Sequence, residues 1–495
     1  MKNSALLLAL AACLGLASLA LFLDAGPVDD DFICYRYARN LLRGEGLVFN
    51  PGQRVEGFTN PLWVLLHAAG QGLGVAPVTL TRGLGILAVL LAVGFAGLAQ
   101  RAISGPGLAL APWAIALSPA FAYHAAAGLG TSLLGALILG WFATWARAEK
   151  RGKPPILAAL LLALACLLRQ ESALFALPFL LCTKHRRWGL LPVLSLVGWS
   201  VFRLAYYGEW LPLTFHAKRL PLGVDLEYGW RYLVGSTWVC GVGVIVLLAL
   251  LAPRRGAGQA ACVWAACAGL VLHTLYVTAA GGDYMGQARF FVPSLPLGLT
   301  LAAIGVGTAP VGRVVFGALA LVPLWAHGQY SDESSLTPDT RPYLNLLHEF
   351  QEARWEQLGR YFGEVLPAGS SVCLSPIGAF GWESDLEIVD VLGLTDPAVA
   401  KAEPDLSIQM KGHHRHDAGA LMDRQPDYVI LGNGLLSPAT GGLVVNPWEA
   451  DLFEEERFLQ GYEHQIAPVP GGQDVHVWVR HGMPALPGAR TRDSR

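Results

Sequence analysis

Twelve windows of this chain are apolar for the width of a membrane or nearly so, around residues 4–23, 61–76, 83–101, 107–124, 131–147, 155–168, 171–183, 188–206, 230–252, 260–279, 291–308 and 313–328. About 20 apolar residues in a helix cross the hydrocarbon core, and in lipid the backbone must satisfy its own hydrogen bonds. Repeated windows of this kind dictate a polytopic α-helical membrane protein. Composition agrees, with 53% hydrophobic and only 15% charged residues, against about 25% charged in a soluble chain. A net charge of -2 over 495 residues gives no footprint for nucleic acid. The eight cysteines lack CxxC or CxxH spacing and mostly lie in apolar runs, where they read as small core hydrophobes. Only Cys34 and Cys373 fall in predicted polar regions, where a disulfide between them is one option.

The first run follows Lys2 and is longer than the apolar core of a signal peptide, so it reads as a retained anchor. The basic loops RAEKRGKPP (147–155), KHRRW (184–188) and PRRG (253–256) mark the cytoplasmic side. The acidic loop 24–60, the loops 207–229 and 281–290, and everything after 328 then lie outside. An inside start and an outside end need an odd number of crossings. One window between 61 and 131 is therefore false or re-entrant, and about eleven spans are expected. This divides the chain into a transmembrane unit, 1–328, and an outer unit, 329–495. In the outer unit, residues 342–366 have helical apolar spacing, whereas SVCLS (371–375), EIVDVLG (387–393), PDYVILGNG (426–434) and DVHVWVRHG (474–482) read as short strands. These predict an α/β domain with a disordered tail, ARTRDSR. No internal repeat is evident.

Ionisable residues beside a bilayer are expensive and usually functional. Asp29, Asp30 and Asp31 open a segment, Phe32 to Leu42, with helical propensity and apolar and basic faces, suited to lying along the interface. A helix N-terminus favours acids, but one aspartate is enough to cap it. Arg169 and Glu171 interrupt two apolar runs and should face a polar cavity or each other, or else form an exposed turn. RLAYYGEWLPLTFHAKRL (203–220) sets Arg203, His216, Lys218 and Arg219 among aromatics, cations suited to phosphate. AAGGDYMGQARFFVPSLP (279–296) places Asp283 and Arg289 around a glycine-rich turn. Bases and phosphate-binding cations on one face suggest transfer chemistry on an anionic, membrane-embedded substrate. By physics alone, a transporter with charged gating loops stays open.

The acid loop resembles the signature DDAF-x₃-RYA-x-NL-x₂-G-x-G-x-VFN-x-G-x₂-VEG-x-T of the GT-C superfamily, polytopic glycosyltransferases that use polyprenyl-phosphate sugars. RQESAL, YYGEWLPLTFHAK, GGDYMGQARFFVPSLP, IVDVLGLTDP and KGHHRHD are similar, in order, to further segments of its arabinofuranosyl-transferring subgroup. The resemblance runs from Asp29 to about Asp417. Two departures stand out: Gly130 lies where the family usually has Glu, and Leu213 where it has Asn. The resemblance implies a GT-C fold and an inverting reaction at the periplasmic face of a bacterial inner membrane. The donor would be a polyprenyl-phosphate sugar, arabinofuranose favoured, and the acceptor a glycan, lipid or protein. It also implies a base at Asp29 or Asp30, with Asp29 favoured and Asp31 a local extra. Donor phosphate would fall to Arg169, Lys218 and Arg289, and sugar contact or loop ordering to Arg36, Glu56, Glu171, Tyr207, His216 and Asp283. No cofactor is required; the acid trio offers oxygen ligands suited to Mg²⁺ or Mn²⁺, although a metal is not favoured. His413, His414, His416 and Asp417 are too close in sequence for most zinc sites and read as an exposed turn or a contact with the acceptor glycan. Rival readings are a mannose- or glucose-dependent transferase, a non-enzymatic carrier of lipid-linked sugars, and a scaffold whose outer domain binds cell-wall polymer.

Overall fold

A computed structural model describes residues 2–23, 26–105, 110–182, 186–252, 257–306, 352–432, 445–470 and 473–491. The N-terminal part is a helical bundle of α1 (Lys2–Ala20), α2 (Asp29–Leu42), α3 (Pro61–Gly72), α4 (Pro77–Ser104), α5 (Ala111–Ala116), α6 (Pro119–Ala127), α7 (Thr131–Lys150) and α8 (Ile156–Leu168). It continues through α9 (Ala173–Cys182), α10 (Leu190–Tyr207), α11 (Leu213–Lys218), α12 (Leu222–Cys240), α13 (Val242–Ala249), α14 (Ala257–Ala279) and α15 (Leu295–Val306). Small residues let the bundle close. A Cβ on Gly85 of α4 would stand 2.0 Å from the Ala125 carbonyl of α6, and one on Gly140 of α7 would stand 2.6 Å from the Phe95 ring. Lipid-embedded helices associate through such close approaches, because lipid supplies no hydrophobic drive between them.

Among the described residues, three helical segments are long and apolar enough to cross a membrane: Pro77–Ser104, Arg186–Tyr207 and Ala257–Ala279. The pair α12 and α13, bent by 82°, adds a fourth if it is one span. Four further apolar helices are shorter, at 10–17 residues: Ala5–Ala20, Ile156–Leu168, Gln170–Leu181 and Leu295–Val306. The window 61–76 yields the 12-residue α3, roughly 18 Å long and too short to cross. The window 107–124 breaks at Ser118–Pro119 into α5 and α6. Windows 155–168 and 171–183 become α8 and α9, separated by Arg169 and the 3-10 turn Gln170–Ser172. Hydropathy registers how greasy a stretch is, whereas helix continuity is cut by Pro, Gly and charged pairs. The window 313–328, the loop PRRG and residues 342–351 lie outside the described residues.

The C-terminal part opens with α16 (Glu352–Val365), then builds one six-stranded sheet. β1 (Ser371–Leu374) lies parallel to β2 (Glu387–Asp390) and to β3 (Tyr428–Val429). β5 (Gln473–Arg480) runs antiparallel to both β3 and β4 (Tyr462–Val469), and β6 (Arg490–Thr491) closes the edge beside β4. The four expected strands are present. β4 escaped the sequence reading, and the tail, expected to be disordered, contributes β6. Cys34 and Cys373 are both buried free thiols, so no disulfide joins them. Burial against apolar neighbours accounts for both.

The helix α17 (Gly378–Ser384), between β1 and β2, packs on α2. α2 is wedged between α3 and this sheet unit, with most of its residues buried. That wedge brings the acidic turn of α2 to the junction of the two parts.

Candidate active site at the junction of bundle and sheet

Successive residues of a helix point about 100° apart, so three adjacent carboxylates on one turn cannot converge. Asp29 turns to the sheet unit, where its oxygens accept the Gly378 N–H at 2.8 Å and the Ala379 N–H at 2.7 Å. Burial pushes its pKa up to about 7, against the pull of those N–H groups and with the Asp30 charge adding to the rise. Asp31 turns into the bundle and accepts four donors: Tyr35 O–H at 2.6 Å, Trp63 Nε1–H at 2.6 Å, Thr81 O–H at 2.9 Å and Leu129 N–H at 2.9 Å. Asp30 faces neither way. Its side chain is 20% exposed, with Arg289 Nη1 at 3.6 Å. The preference for Asp29 as base therefore meets a carboxylate whose two oxygens are already committed. Asp31, read as a spare cap, is the most fully bonded of the three. The trio diverges, which leaves no oxygen cage for Mg²⁺ or Mn²⁺.

Around Asp30 the structure gathers cations from three distant stretches. Arg289 pairs through Nε with Asp283, touches Met285 Sδ at 2.7 Å and lies 5.0 Å over the Phe290 ring. Arg169 meets the same ring at 5.4 Å, and is held by Glu171 at 2.7 Å and the Thr59 hydroxyl at 2.8 Å. Lys218, at the end of α11, has no hydrogen-bond partner for its ammonium among the described residues. Burial lowers its pKa, Asp30 and Asp283 oppose that fall, and Arg289 and Arg169 add to it. Asp30, Asp283, Arg169, Lys218 and Arg289 thus form one cluster, with Glu171 orienting Arg169.

Four other candidates make contacts within the fold. Arg36 is 1% exposed and donates to the carbonyls of Phe49, Gly381 and Leu386 and to Asn50 Oδ1. Four of its five N–H groups are thereby committed. Glu56 is buried in an ion pair with Arg203 and accepts the Trp199 indole N–H at 3.1 Å. Tyr207 donates to the Leu47 carbonyl at 2.8 Å, which ties the first loop to α10. His216 meets Phe215 edge-on at 5.7 Å. Arg36, Glu56 and Tyr207 thus direct polar atoms to partners within the fold.

The two departures from the resembled pattern have local causes. Gly130 has φ 69°, and a Cβ there would stand 3.0 Å from both Leu168 and Trp63, so a side chain at this position is strained and its neighbours must give way. Leu213 is buried and donates its backbone N–H to the Glu56 carbonyl at 3.0 Å.

The histidine-rich turn is not exposed. His413 and His414 are buried, His416 sits 3.0 Å from Asp451 and 3.6 Å from Asp405, and Asp417 caps α18 (Ala418–Asp423). Among the described residues no group of three His, Cys, Asp or Glu side chains is placed to hold a metal ion. Sequence reasoning missed Lys411, which crosses from this turn to form a buried ion pair with Asp225 of α12 and to donate to the Lys218 carbonyl at 2.9 Å. It also missed Tyr284 and Trp448, which flank His413. The glycine-rich GGDY turn and the lysine beside Gly412 were the available signals.

A helical bundle carrying an α/β unit is a fold that this chain shares with solved structures. The fold matches ArnT from Cupriavidus metallidurans bound to undecaprenyl phosphate with a TM-score of 0.57 and 14% identity, covering 96% of this chain and 98% of that one. It matches the arabinofuranosyltransferase AftD from Mycobacteria with a TM-score of 0.51 and 17% identity, covering 96% of this chain and 40% of that one. In sequence, the chain is 30% identical over 348 residues to the terminal β-(1→2)-arabinofuranosyltransferase of Corynebacterium glutamicum, over 59% of this chain and 50% of the relative. It thus spans about half the length of that curated relative. Residues 345–478 match the family model described as a domain of unknown function, DUF8728.

Proposed function

We propose that the chain is an inverting glycosyltransferase that moves a sugar, arabinofuranose first, from a polyprenyl-phosphate donor to a cell-envelope glycan, lipid or protein. The reaction would occur at the periplasmic face of a bacterial inner membrane. The observation that carries this reading is the position of Asp30, the open carboxylate of its trio, against Lys218, Arg289 and Arg169. The acceptor hydroxyl gives its proton to Asp30 as its oxygen attacks the anomeric carbon from the face opposite the phosphate. The bond from that carbon to the phosphate oxygen breaks, and the charge growing on the departing polyprenyl phosphate is met by Lys218 and the two guanidiniums. Asp283 and Glu171 hold Arg289 and Arg169 in place.

The test uses the full chain in nanodiscs, with polyprenyl-phosphate arabinose, mannose and glucose offered separately beside a glycan acceptor, and follows release of polyprenyl phosphate. Release with arabinose, reduced about 10²–10⁴-fold in Asp30→Asn, is the expected result. Release with mannose or glucose alone would change the sugar. Silence with all three, from folded protein that binds lipid, would favour the carrier.

A further inference from the structure

The wall of the cluster supplied by Tyr284, His413 and Trp448 has no part in the displacement just described. The His413 ring lies 4.8 Å from Tyr284, at 86° to it, and 4.6 Å from Trp448. This group sits against the reacting cluster. A Cβ on Gly412 would stand 3.6 Å from Lys218 Cγ, and both Lys218 and Asp30 act on the charge of the His413 imidazole. Burial and the Asp30 carboxylate together keep the Tyr284 hydroxyl protonated.

The polar atoms of this wall are unspent. The Trp448 indole N–H is buried without a hydrogen-bond partner, and the Tyr284 hydroxyl has none among the described residues. His413 uses Nδ1 on the Lys411 carbonyl, at 3.4 Å, which leaves Nε2 open. Buried polar groups are normally paired, so the buried, unpaired Trp448 N–H, with two uncommitted polar atoms on the rings around it, marks a place for a ligand close to Asp30. Aromatic faces with polar rims suit carbohydrate: the C–H face of a sugar lies on a ring, and its hydroxyls meet the N and O atoms at the edge. A lipid tail would leave those atoms unsatisfied, and a phosphate would find no cation among the three.

We propose that Tyr284, His413 and Trp448 form the subsite for the acceptor glycan's terminal sugar, the Tyr284 O–H donating and His413 Nε2 accepting so as to turn its hydroxyl toward Asp30. This rests on the transferase reading and narrows the acceptor to a carbohydrate.

The probes are a linear arabinofuranose tetrasaccharide and a linear mannose tetrasaccharide, with full-length protein in nanodiscs. Binding is measured by saturation-transfer NMR without donor, and acceptor and donor KM by polyprenyl phosphate release. Tyr284→Phe, which removes one oxygen, His413→Gln and Trp448→Leu should each raise the acceptor KM about tenfold and leave the donor KM within about twofold. Acceptor affinity unchanged in Tyr284→Phe and His413→Gln, or acceptor and donor KM rising together, overturns the subsite. If the wild type binds a tetrasaccharide and the variants lose it while no donor is consumed, the subsite stands and the transferase reading falls. If donor is consumed and every variant keeps its acceptor KM, the transferase reading stands and the subsite falls.

Discussion

Asp29, Asp30 and Asp31 are neighbours in sequence but share no hydrogen-bond or ion-pair partner. The helix sends each in its own direction, and the three surroundings give them separate roles. Asp29 docks the sheet unit, Asp30 faces the cations, and Asp31 anchors the bundle. Truncating Asp29 leaves the Gly378 and Ala379 N–H groups buried and unpaired, at roughly 1–3 kcal/mol each. Asp29→Ala should therefore lower the unfolding midpoint by several degrees, measured by intrinsic fluorescence in detergent. The pH response has a definite sign. Asp29 titrates at about 7 in the fold and near 3.9 in an unfolded chain, so between those values the folded state holds a proton that the unfolded state has released. Its contribution to stability is full below about pH 4 and falls as pH rises to about 7. Asp29→Asn should flatten the stability profile over that window, and parallel profiles for the two proteins would contradict the assignment. At Lys218, removal of the ammonium in Lys218→Met should raise the donor KM about tenfold or more without changing acceptor binding. That three acids and several cations matter was legible in the sequence. Which acid stays open was not, because the partners of the trio arrive from positions 129, 289 and 378.

At the scale of elements, the sequence reading succeeded where one face or one run carried the signal. It placed α2, the break at Arg169 and four strands. It did not show that Pro119 breaks the window 107–124, nor that this window and the runs on either side of Arg169–Glu171 form helices of only 6–13 residues. It missed β4, whose polar Glu463, His464 and Gln465 hide the alternation until β5 pairs with it along all eight residues. The αL turn at Gly130 tests an element directly. An L side chain there costs roughly 1–2 kcal/mol in backbone strain alone, and its Cβ must also push Leu168 and Trp63 aside. Gly130→Ala should thus destabilise the start of α7 by at least that amount, read as a lower midpoint in thermal unfolding. An unchanged midpoint would show that the turn relaxes.

Over the whole molecule, the bundle and the sheet unit are joined by buried polar contacts. Arg36 reaches from α2 to two carbonyls of the sheet unit, Asp29 to two of its N–H groups, and Lys411 returns to Asp225 of α12. Without the Arg36 guanidinium, the buried carbonyls that it serves lose a donor, at roughly 1–3 kcal/mol each. Arg36→Ala should therefore speed limited proteolysis at the junction, and wild-type digestion rates would argue against a joint of this strength. By itself the sequence determined a helical membrane chain, a sheet-bearing C-terminal part and the residue types of the site, because hydropathy, period-2 alternation and charge are local properties. Tertiary structure alone decided which charges meet, which are spent on the scaffold and which polar atoms stay open. Those outcomes depend on contacts between segments hundreds of residues apart, and no local pattern records them.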